Sequence, residues 1–190
     1  MYILFEGIDG CGKSTQIELL KSHLNAVVTK EPGGTKLGVK LREILLHSDV
    51  ESKEAELLLF LADRAEHFKE VIEPNLDKYI LSDRGFISGI AYAMSSGFNM
   101  NFLIELNSFA LNGVMPQKIV LFTITKEEAI KRVQTRGELD KIESRGFDYL
   151  MQIQDNMLKV VEHLEIETLV VDASKSIDEI NKEIINFIGE

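Results

Sequence analysis

The residues with the clearest chemical capacity form a glycine-rich segment near the start of the chain. Residues 7–14, Gly-Ile-Asp-Gly-Cys-Gly-Lys-Ser, match the pattern G-x-x-x-x-G-K-[ST]. The glycines allow several backbone N–H groups to point at one phosphate, at the positive end of the following helix. Lys13 is expected to reach the β- and γ-phosphates, and the Ser14 hydroxyl to bind Mg²⁺. The motif alone predicts ATP or GTP as the ligand, and the predicted ATP-binding residues here are Gly7, Ile8, Asp9, Gly10, Cys11, Gly12, Lys13, Ser14 and Thr15.

The context of this motif supports phosphate binding. It follows a short apolar run and opens a helical pattern, the strand–loop–helix setting that such a loop requires. A GTPase would also need a guanine-recognising Asn-Lys-x-Asp sequence after a later strand. That strand instead runs into residues 125–128, Thr-Lys-Glu-Glu, which disfavours a GTPase.

A second polar group, Ser82-Asp83-Arg84, ends another apolar run. An acidic residue at the carboxyl end of a strand beside the phosphate loop can hold Mg²⁺, here through water. Arg84 would then face the cleft, where its planar guanidinium suits a second phosphate. The alternative is an ordinary surface pair of Asp83 and Arg84.

Two further segments are candidates for binding the acceptor molecule. Residues 30–35, Lys-Glu-Pro-Gly-Gly-Thr, predict a tight turn that places Glu31 at the rim of the same cleft. Within the helical pattern over 53–72, Phe60 and Arg64 are four residues apart and share one face. An aromatic ring beside a bidentate donor suits a flat base with a carbonyl on its edge. Taken alone, such residues are more often a simple turn, a core phenylalanine and a snorkelling arginine.

A lid over the phosphates is predicted near residue 136. Arg132 and Arg136 lie four residues apart, and a polar stretch that contains Gly137 then interrupts a helical pattern. A mobile lid over about 136–146 would have this character, with Arg132 among the ATP-binding residues. The alternative is a solvated helix face with ion pairs, because acidic residues punctuate the basic ones.

Together these segments predict phosphoryl transfer between two polyanions. A phosphate acceptor is already ionised, so the protein needs no general base and acts by positioning and by neutralising charge. The four histidines are scattered and form no metal-ligand spacing, in keeping with that chemistry.

Alternating apolar runs and helical patterns position these residues. The expected strands are Tyr2–Phe5, Val27–Thr29, Tyr79–Leu81, Ile119–Ile124 and Thr168–Val171. Helical patterns cover about 14–25, 36–47, 53–72, 86–113, 126–164 and 176–188. This alternation predicts an α/β fold, a parallel sheet with helices on both faces. Ligands in such folds bind beyond the carboxyl ends of the strands, where the polar groups described above are predicted to lie.

Composition narrows the class of protein. The 190 residues fit one domain, 1–190, and no run approaches the roughly 18 apolar residues of a membrane span. A net charge of −10 disfavours nucleic acid as a partner. Cys11 is the single cysteine, and the start of the chain lacks a signal-peptide pattern, so a cytoplasmic location is expected.

The ordered combination of motifs resembles the bacterial thymidylate kinases. It comprises the phosphate loop, the Glu-Pro-Gly-Gly-Thr turn, the Phe60/Arg64 helix, Asp83-Arg84 and residues 136–140, Arg-Gly-Glu-Leu-Asp. The resemblance runs from about Ile3 to Asp172. It implies a P-loop kinase with a five-stranded parallel sheet, acting as a homodimer. It also implies transfer of the γ-phosphate from MgATP to dTMP, giving dTDP for dTTP synthesis.

The resemblance also implies roles for individual residues. Lys13 is assigned to ATP, while Arg42 and Arg84 are assigned to the phosphate of dTMP. Asp9 falls near the sugar 3′-hydroxyl, with Glu31 close by. The thymine ring would be recognised by Phe60, which stacks on it, and by Arg64, which bonds its carbonyl, while Tyr92 presses on the sugar.

The chain also departs from the family pattern. Gly10 stands where some members have an arginine, so the catalytic cation is expected from the lid, from Arg136 or a neighbour, in addition to Lys13 and Arg84. Gly89 and Ala93 replace residues whose side chains bond the base, which puts base discrimination in question. Three alternatives remain open: a deoxynucleoside kinase, another pyrimidine monophosphate kinase, and a non-enzymatic ATP-binding regulatory module.

Overall fold

A five-stranded parallel sheet forms the centre of the molecule. The computed structural model describes residues 1–136 and 146–189, without the side chains of 133–136. The strands are β1 Tyr2–Glu6, β2 Val27–Lys30, β3 Ile80–Asp83, β4 Lys118–Thr123 and β5 Glu167–Asp172. They are arranged in the order β2-β3-β1-β4-β5. The predicted parallel sheet is confirmed, and each strand was placed within two residues at either end.

Burial explains why these runs form strands without alternating polarity. Ile3, Leu4 and Phe5 of β1 are fully buried, as are Ile119 and Val120 of β4. Both faces of the central strands are covered, so apolar residues are favoured at every position.

Eight α-helices surround the sheet within the described ranges. They are α1 Lys13–Leu24, α2 Lys36–His47, α3 Lys53–His67, α4 Phe86–Ser95, α5 Met100–Ala110, α6 Lys126–Arg136, α7 Phe147–His163 and α8 Ile177–Ile188. In the described part of the chain, no helix has the length and apolar character needed to cross a membrane.

Three helical patterns are divided in the structure. The pattern over 53–72 is an α-helix only to His67 and continues as a π-helical turn, Phe68–Ile72. The pattern over 86–113 was wrong as one helix. It contains α4 and α5, separated where Gly97 adopts a positive φ of 92° and Asn99 caps α5. In the third pattern, α6 ends at Arg136 and α7 begins at Phe147.

The strand order places the site. The connection from β1 to β2 crosses β3 towards one edge of the sheet. The later connection from β3 to β4 crosses β1 towards the other edge. With right-handed crossovers, these opposite directions put α1 on one face of the sheet and α2–α7 on the other. α8 packs with α1. The reversal lies between β1 and β3, so their carboxyl ends border the crevice in which ligands of such sheets bind.

Candidate active site

The loop after β1 has the backbone geometry of a phosphate-binding loop. Gly7, Gly10 and Gly12 all have positive φ, and α1 begins directly after Gly12. Lys13 is 5% exposed, and its Nζ donates to the carbonyls of Gly7 and Ile8 at 2.9 Å each. The ammonium group therefore lies folded over the loop that would hold the phosphates.

Gly7 needs to be glycine for steric reasons. Its φ is 142°, and a Cβ there would lie 2.7 Å from the carbonyl oxygen of Phe122 and 2.9 Å from Sγ of Cys11. The Cys11 side chain is itself buried. Among the predicted ATP-binding residues, Ile8 and Cys11 therefore have only their backbone groups available for a phosphate.

The two residues predicted to bind metal lie together. The Ser14 hydroxyl donates to Oδ2 of Asp83 at 2.8 Å. Parallel pairing of β1 with β3 sets Asp83 opposite Phe5, next to the start of the phosphate loop. Mg²⁺ prefers oxygen ligands and takes only one or two from a protein when phosphates and waters supply the rest. The oxygens of Ser14 and Asp83 fit that requirement.

Arg84 is held at the same edge by several contacts. Its NH2 lies 2.8 Å from Oδ1 of Asp9, and its NH1 donates to the Gly7 carbonyl at 2.9 Å. Although burial alone would lower the pKa of Arg84, the Asp9 carboxylate raises it, so the group stays charged. Its φ of 69° is unusual for a residue with a side chain and is a feature often found at functional sites. Arg84 is only 16% exposed, so the alternative of a surface pair is wrong.

The turn after β2 brings a second arginine into the cavity. Arg42 of α2 donates from NH1 to the carbonyl of Pro32 at 2.9 Å. Gly33 has a φ of 101°, and a Cβ there would lie 3.0 Å from Cδ of Arg42. The backbone N–H of Gly33 donates to Asp63 of α3 at 3.0 Å. The turn is thus fixed between α2 and α3, with Arg42 packed along it.

These elements enclose a cavity of about 380 Å³. It holds four cationic and three acidic side chains, although the whole chain has a net charge of −10. The cavity is therefore a local basic site suited to a small polyanion. Its lining residues are Asp9, Gly10, Gly12, Lys13, Ser14, Thr15, Lys30, Glu31, Arg42, Asp83 and Arg84.

A buried ion pair lies behind this cavity. Glu31 Oε2 accepts from Nε of Arg64 at 2.8 Å, and Oε1 lies 2.7 Å from Nδ1 of His67. Glu31 and Arg64 are each 3% exposed. Burial alone would raise the pKa of Glu31, but the Arg64 charge and the His67 bond lower it. Arg64 is therefore not a snorkelling surface residue, and Glu31 lies deeper than the predicted rim.

Comparison with known proteins identifies the family. A sequence model of the family described as thymidylate kinase matches residues 5–184. The thymidylate kinase of Campylobacter concisus is 58% identical, covering 100% of this chain and 99% of that protein. That of Sulfurimonas denitrificans is 52% identical and covers 100% of both. The chain belongs to the thymidylate kinase family.

A solved structure of the family agrees with the fold. The crystal structure of thymidylate kinase from Ehrlichia chaffeensis superposes with a TM-score of 0.80 at 28% identity, covering 99% of this chain and 98% of that one. The predicted α/β kinase fold is confirmed. Thymidylate kinases are ATP-dependent nucleotide kinases, so the chain is an enzyme of the transferase class.

The predicted base- and sugar-binding residues Phe60, Arg64 and Tyr92 are not among the residues that line the cavity. Phe60 is partly buried on α3, one turn before Arg64. Tyr92 lies on α4, one turn after Ser88, with its ring centroid 6.4 Å from that of Tyr149. Helix periodicity and the shared packing of α3, α4 and α5 bring these side chains to the same side of the sheet.

Arg132 of α6 connects its own helix with the phosphate loop and with the segment after β5. Its Nε lies 3.1 Å from Glu128 and its NH1 donates to the Gly10 carbonyl at 3.1 Å, while its NH2 donates to the Ala173 carbonyl. The bonds to the Gly10 and Ala173 carbonyls mean that Arg132 does not simply lie on a solvated helix face, which was the alternative interpretation. The side chain of Arg136 and the lid residues 137–145 lie outside the part of the chain that the structure describes.

Sequence patterns missed several residues that support this site. Glu6 is fully buried, with its pKa raised by burial, and it accepts hydrogen bonds from the backbone and hydroxyl of Ser88. The Ser88 hydroxyl in turn accepts from Arg84 NH1 at 3.0 Å. Lys30 lines the cavity because β2 pairs with β3, which sets it opposite Asp83. Lys30 belongs to the segment 30–35 that was predicted to lie at the cleft, but no role was predicted for its side chain.

Proposed function

We propose that the enzyme transfers the γ-phosphate of MgATP to dTMP, giving dTDP and ADP for dTTP synthesis. The observation that supports this most strongly is Arg84, which is paired with Asp9 and borders the same cavity as the phosphate loop. Two anion-binding elements that border one cavity suit a reaction between two phosphates. The relatives named thymidylate kinase at 58% and 52% identity support dTMP as the acceptor.

On the donor side, the loop amides and Lys13 would hold the β- and γ-phosphates. Lys13 would exchange its bonds to the Gly7 and Ile8 carbonyls for phosphate oxygens. Ser14 and Asp83 would hold Mg²⁺, Asp83 through water. The bound metal would neutralise charge on the transferring phosphate.

On the acceptor side, Arg42 and Arg84 would bind the phosphate of dTMP. Its ionised oxygen is the nucleophile, so these residues orient it and balance its charge without removing a proton. Asp9 would bind the sugar 3′-hydroxyl, with Glu31 close by.

The nucleoside would lie along α3 and α4. Phe60 would stack on thymine, Arg64 would donate to its carbonyl, and Tyr92 would pack against the sugar. The buried guanidinium of Arg64 supports this assignment, because a donor held beneath the cavity wall can select a carbonyl over an amino group.

The catalytic cation on the donor side is assigned to the lid. Gly10 has no side chain, so Arg136 is the proposed source of positive charge at the transition state, with a lid over about 136–146. Arg132 would support ATP through its contact with the Gly10 carbonyl.

The wider setting is also proposed. We take residues 1–190 as a single kinase domain in a cytoplasmic homodimer, without nucleic acid or membrane partners. A chain with a single cysteine cannot form an internal disulfide, which supports the reducing environment of the cytoplasm. Exposed apolar side chains on α2, α3 and α5, namely Val39, Leu58 and Phe109, support a second copy as a partner.

ADP release across a panel of acceptors tests the proposal. The panel contains dTMP, dUMP, dCMP, thymidine and a control without acceptor. The proposal predicts fast release with dTMP, slower release with dUMP and little with the others. Fast release with thymidine would identify a deoxynucleoside kinase, and acceptor-independent ATP binding or hydrolysis alone would identify a regulatory module.

A further inference from the structure

Asn107 is a buried polar residue beside the proposed base-binding side chains. It is 1% exposed in α5, and its Oδ1 accepts a hydrogen bond from NH1 of Arg64. Its Nδ2 donates to the Leu103 carbonyl at 2.7 Å. A flipped amide would point N–H groups at a guanidinium, which has no acceptor. The two bonds therefore allow a single orientation of the Asn107 amide.

The guanidinium of Arg64 is held from two more directions. Both its Nε and its NH2 lie 2.8 Å from Oε2 of Glu31, at the end of β2. Gly89 of α4 lies on another side. A Cβ at that position would be 3.2 Å from NH1 and 3.3 Å from NH2 of Arg64. The absence of a side chain at Gly89 thus lets the guanidinium lie directly against α4.

These contacts use only part of the guanidinium. Arginine has five N–H donors, and among the described residues Glu31 and Asn107 together engage three of them. Glu31 balances the positive charge, and Asn107 adds an acceptor without adding charge. A neutral ring with a carbonyl oxygen on its edge suits a donor of this kind.

The geometry points to Asn107 as a positioning residue that sets the orientation of Arg64 and thereby the enzyme's preference for a carbonyl-bearing pyrimidine. The inference rests on the proposed dTMP kinase function, with Arg64 as the base-recognising residue. A loose guanidinium would lose part of its hydrogen bond to the base, because the strength of such bonds falls steeply with misalignment. Asn107 does not touch the reacting atoms.

Two substitutions separate positioning from packing. Asn107→Leu removes the acceptor at similar volume. Asn107→Asp keeps an acceptor for Arg64 but loses the donor to Leu103. The measured quantity is kcat/KM for dTMP divided by kcat/KM for dCMP, with kcat and KM recorded separately. Asn101→Leu, an exposed change in the same helix, is the matched control.

Asn107→Leu should lower the dTMP-to-dCMP ratio by about tenfold, the size expected for one hydrogen bond to a charged group. The change should lie mainly in KM for dTMP. Asn107→Asp and Asn101→Leu should keep the wild-type ratio. An unchanged ratio in Asn107→Leu, or equal losses in the Leu and Asp variants, would overturn the inference. If Asn107→Leu does not melt cooperatively, Asn107→Ala replaces it under the same criteria.

Arg64→Met distinguishes failure of this inference from failure of the proposed function. It should lower the ratio at least as much as Asn107→Leu, and the double variant should be no worse than Arg64→Met alone. If Arg64→Met lowers the ratio but Asn107→Leu does not, only the role of Asn107 is wrong. If wild-type enzyme does not phosphorylate dTMP, the proposed function itself is wrong.

Discussion

The hydroxyl of Ser14 lies 2.8 Å from a carboxylate oxygen of Asp83, although 69 residues separate them in the chain. Parallel pairing of β1 with β3 produces this contact, because it brings the carboxyl ends of both strands to one edge. The same edge carries Arg84, which directly follows Asp83. The metal site, the donor site and the acceptor site of the proposed reaction are therefore adjacent.

Asp83→Asn should raise the Mg²⁺ concentration needed for half-maximal activity and lower kcat, because the neutral amide binds the metal's water shell more weakly. A magnesium titration at saturating ATP and dTMP measures this change. Asp77→Asn, an exposed change in the turn before β3, is the control. An unaltered magnesium requirement in Asp83→Asn would remove Asp83 from the metal site.

Lys13→Ala should abolish transfer while the protein still melts cooperatively. The lysine is the one cation that the phosphate loop contributes, and its Nζ contacts only loop groups among the described residues. Lys21→Ala, at an exposed position in the same helix, should keep full activity. Normal turnover by Lys13→Ala would refute its assignment to the phosphates.

Arg136→Ala should lower kcat far more than it raises KM for dTMP. An arginine supplied at the transition state can contribute about 10³–10⁵ in rate. Arg132→Ala should instead raise KM for ATP, because it loses the bonds to the Gly10 and Ala173 carbonyls. Steady-state kinetics in both substrates checks this. A change confined to KM in Arg136→Ala would make it a binding residue.

Phe60→Ala should weaken every pyrimidine monophosphate to a similar extent, since stacking does not depend on the groups at the ring edge. Arg64→Met should instead reduce the gap between dTMP and dCMP. The value of kcat/KM for dUMP should be lower than that for dTMP by a modest factor, because one methyl group contributes about 1–3 kcal/mol. The test is kcat/KM for the three substrates in both variants. Loss of selectivity in Phe60→Ala alone would reverse the two roles.

Glu31→Gln should lower the free energy of unfolding by about 3–5 kcal/mol at pH 7, because it leaves Arg64 buried without its charge partner. The native pKa of Glu31 is below its ordinary value of 4.5, since Arg64 and His67 outweigh the effect of burial. The stabilisation is therefore complete above about pH 4.5 and is lost as the pH falls through the native pKa.

Urea denaturation between pH 7 and pH 3 measures the difference in the free energy of unfolding between wild type and Glu31→Gln. The gap between wild type and Glu31→Gln should narrow as the pH falls below about 4.5. Asp63 acts in the opposite direction in the wild type, because burial and, to a smaller extent, the negative charge of Glu31 raise its pKa. Glu31→Gln removes the second of these causes, so this opposite contribution is smaller in the variant. The exposed change Glu162→Gln should show no comparable gap. A gap that stays constant with pH would contradict the assigned charge pair.

The sequence predicted those features that depend on local pattern. Apolar runs located all five strands, and the segment 36–47 matches α2 in full. The glycine-rich loop and Asp83-Arg84 lie at strand ends, so the topology alone brought them together. The division between α4 and α5 was missed because it depends on the backbone conformation at Gly97.

The supporting residues could not be predicted in the same way. The contact between Glu6 and Ser88 spans 82 residues of the chain, and that between Asn107 and Arg64 spans 43. Such contacts depend on how α4 and α5 pack on the sheet. The role of Gly89 was also beyond prediction from the sequence, where its lack of a side chain suggested only that a contact with the base is lost. In the structure, the guanidinium of Arg64 lies against the space that a side chain at Gly89 would fill.

The most direct test of the proposed reaction is to identify its product. Phosphorus NMR of a mixture of wild-type enzyme, MgATP and dTMP should show the signals of dTDP and ADP increasing in equal amounts. The same mixture with Lys13→Ala should show neither. Formation of ADP and inorganic phosphate without dTDP would contradict phosphoryl transfer to dTMP.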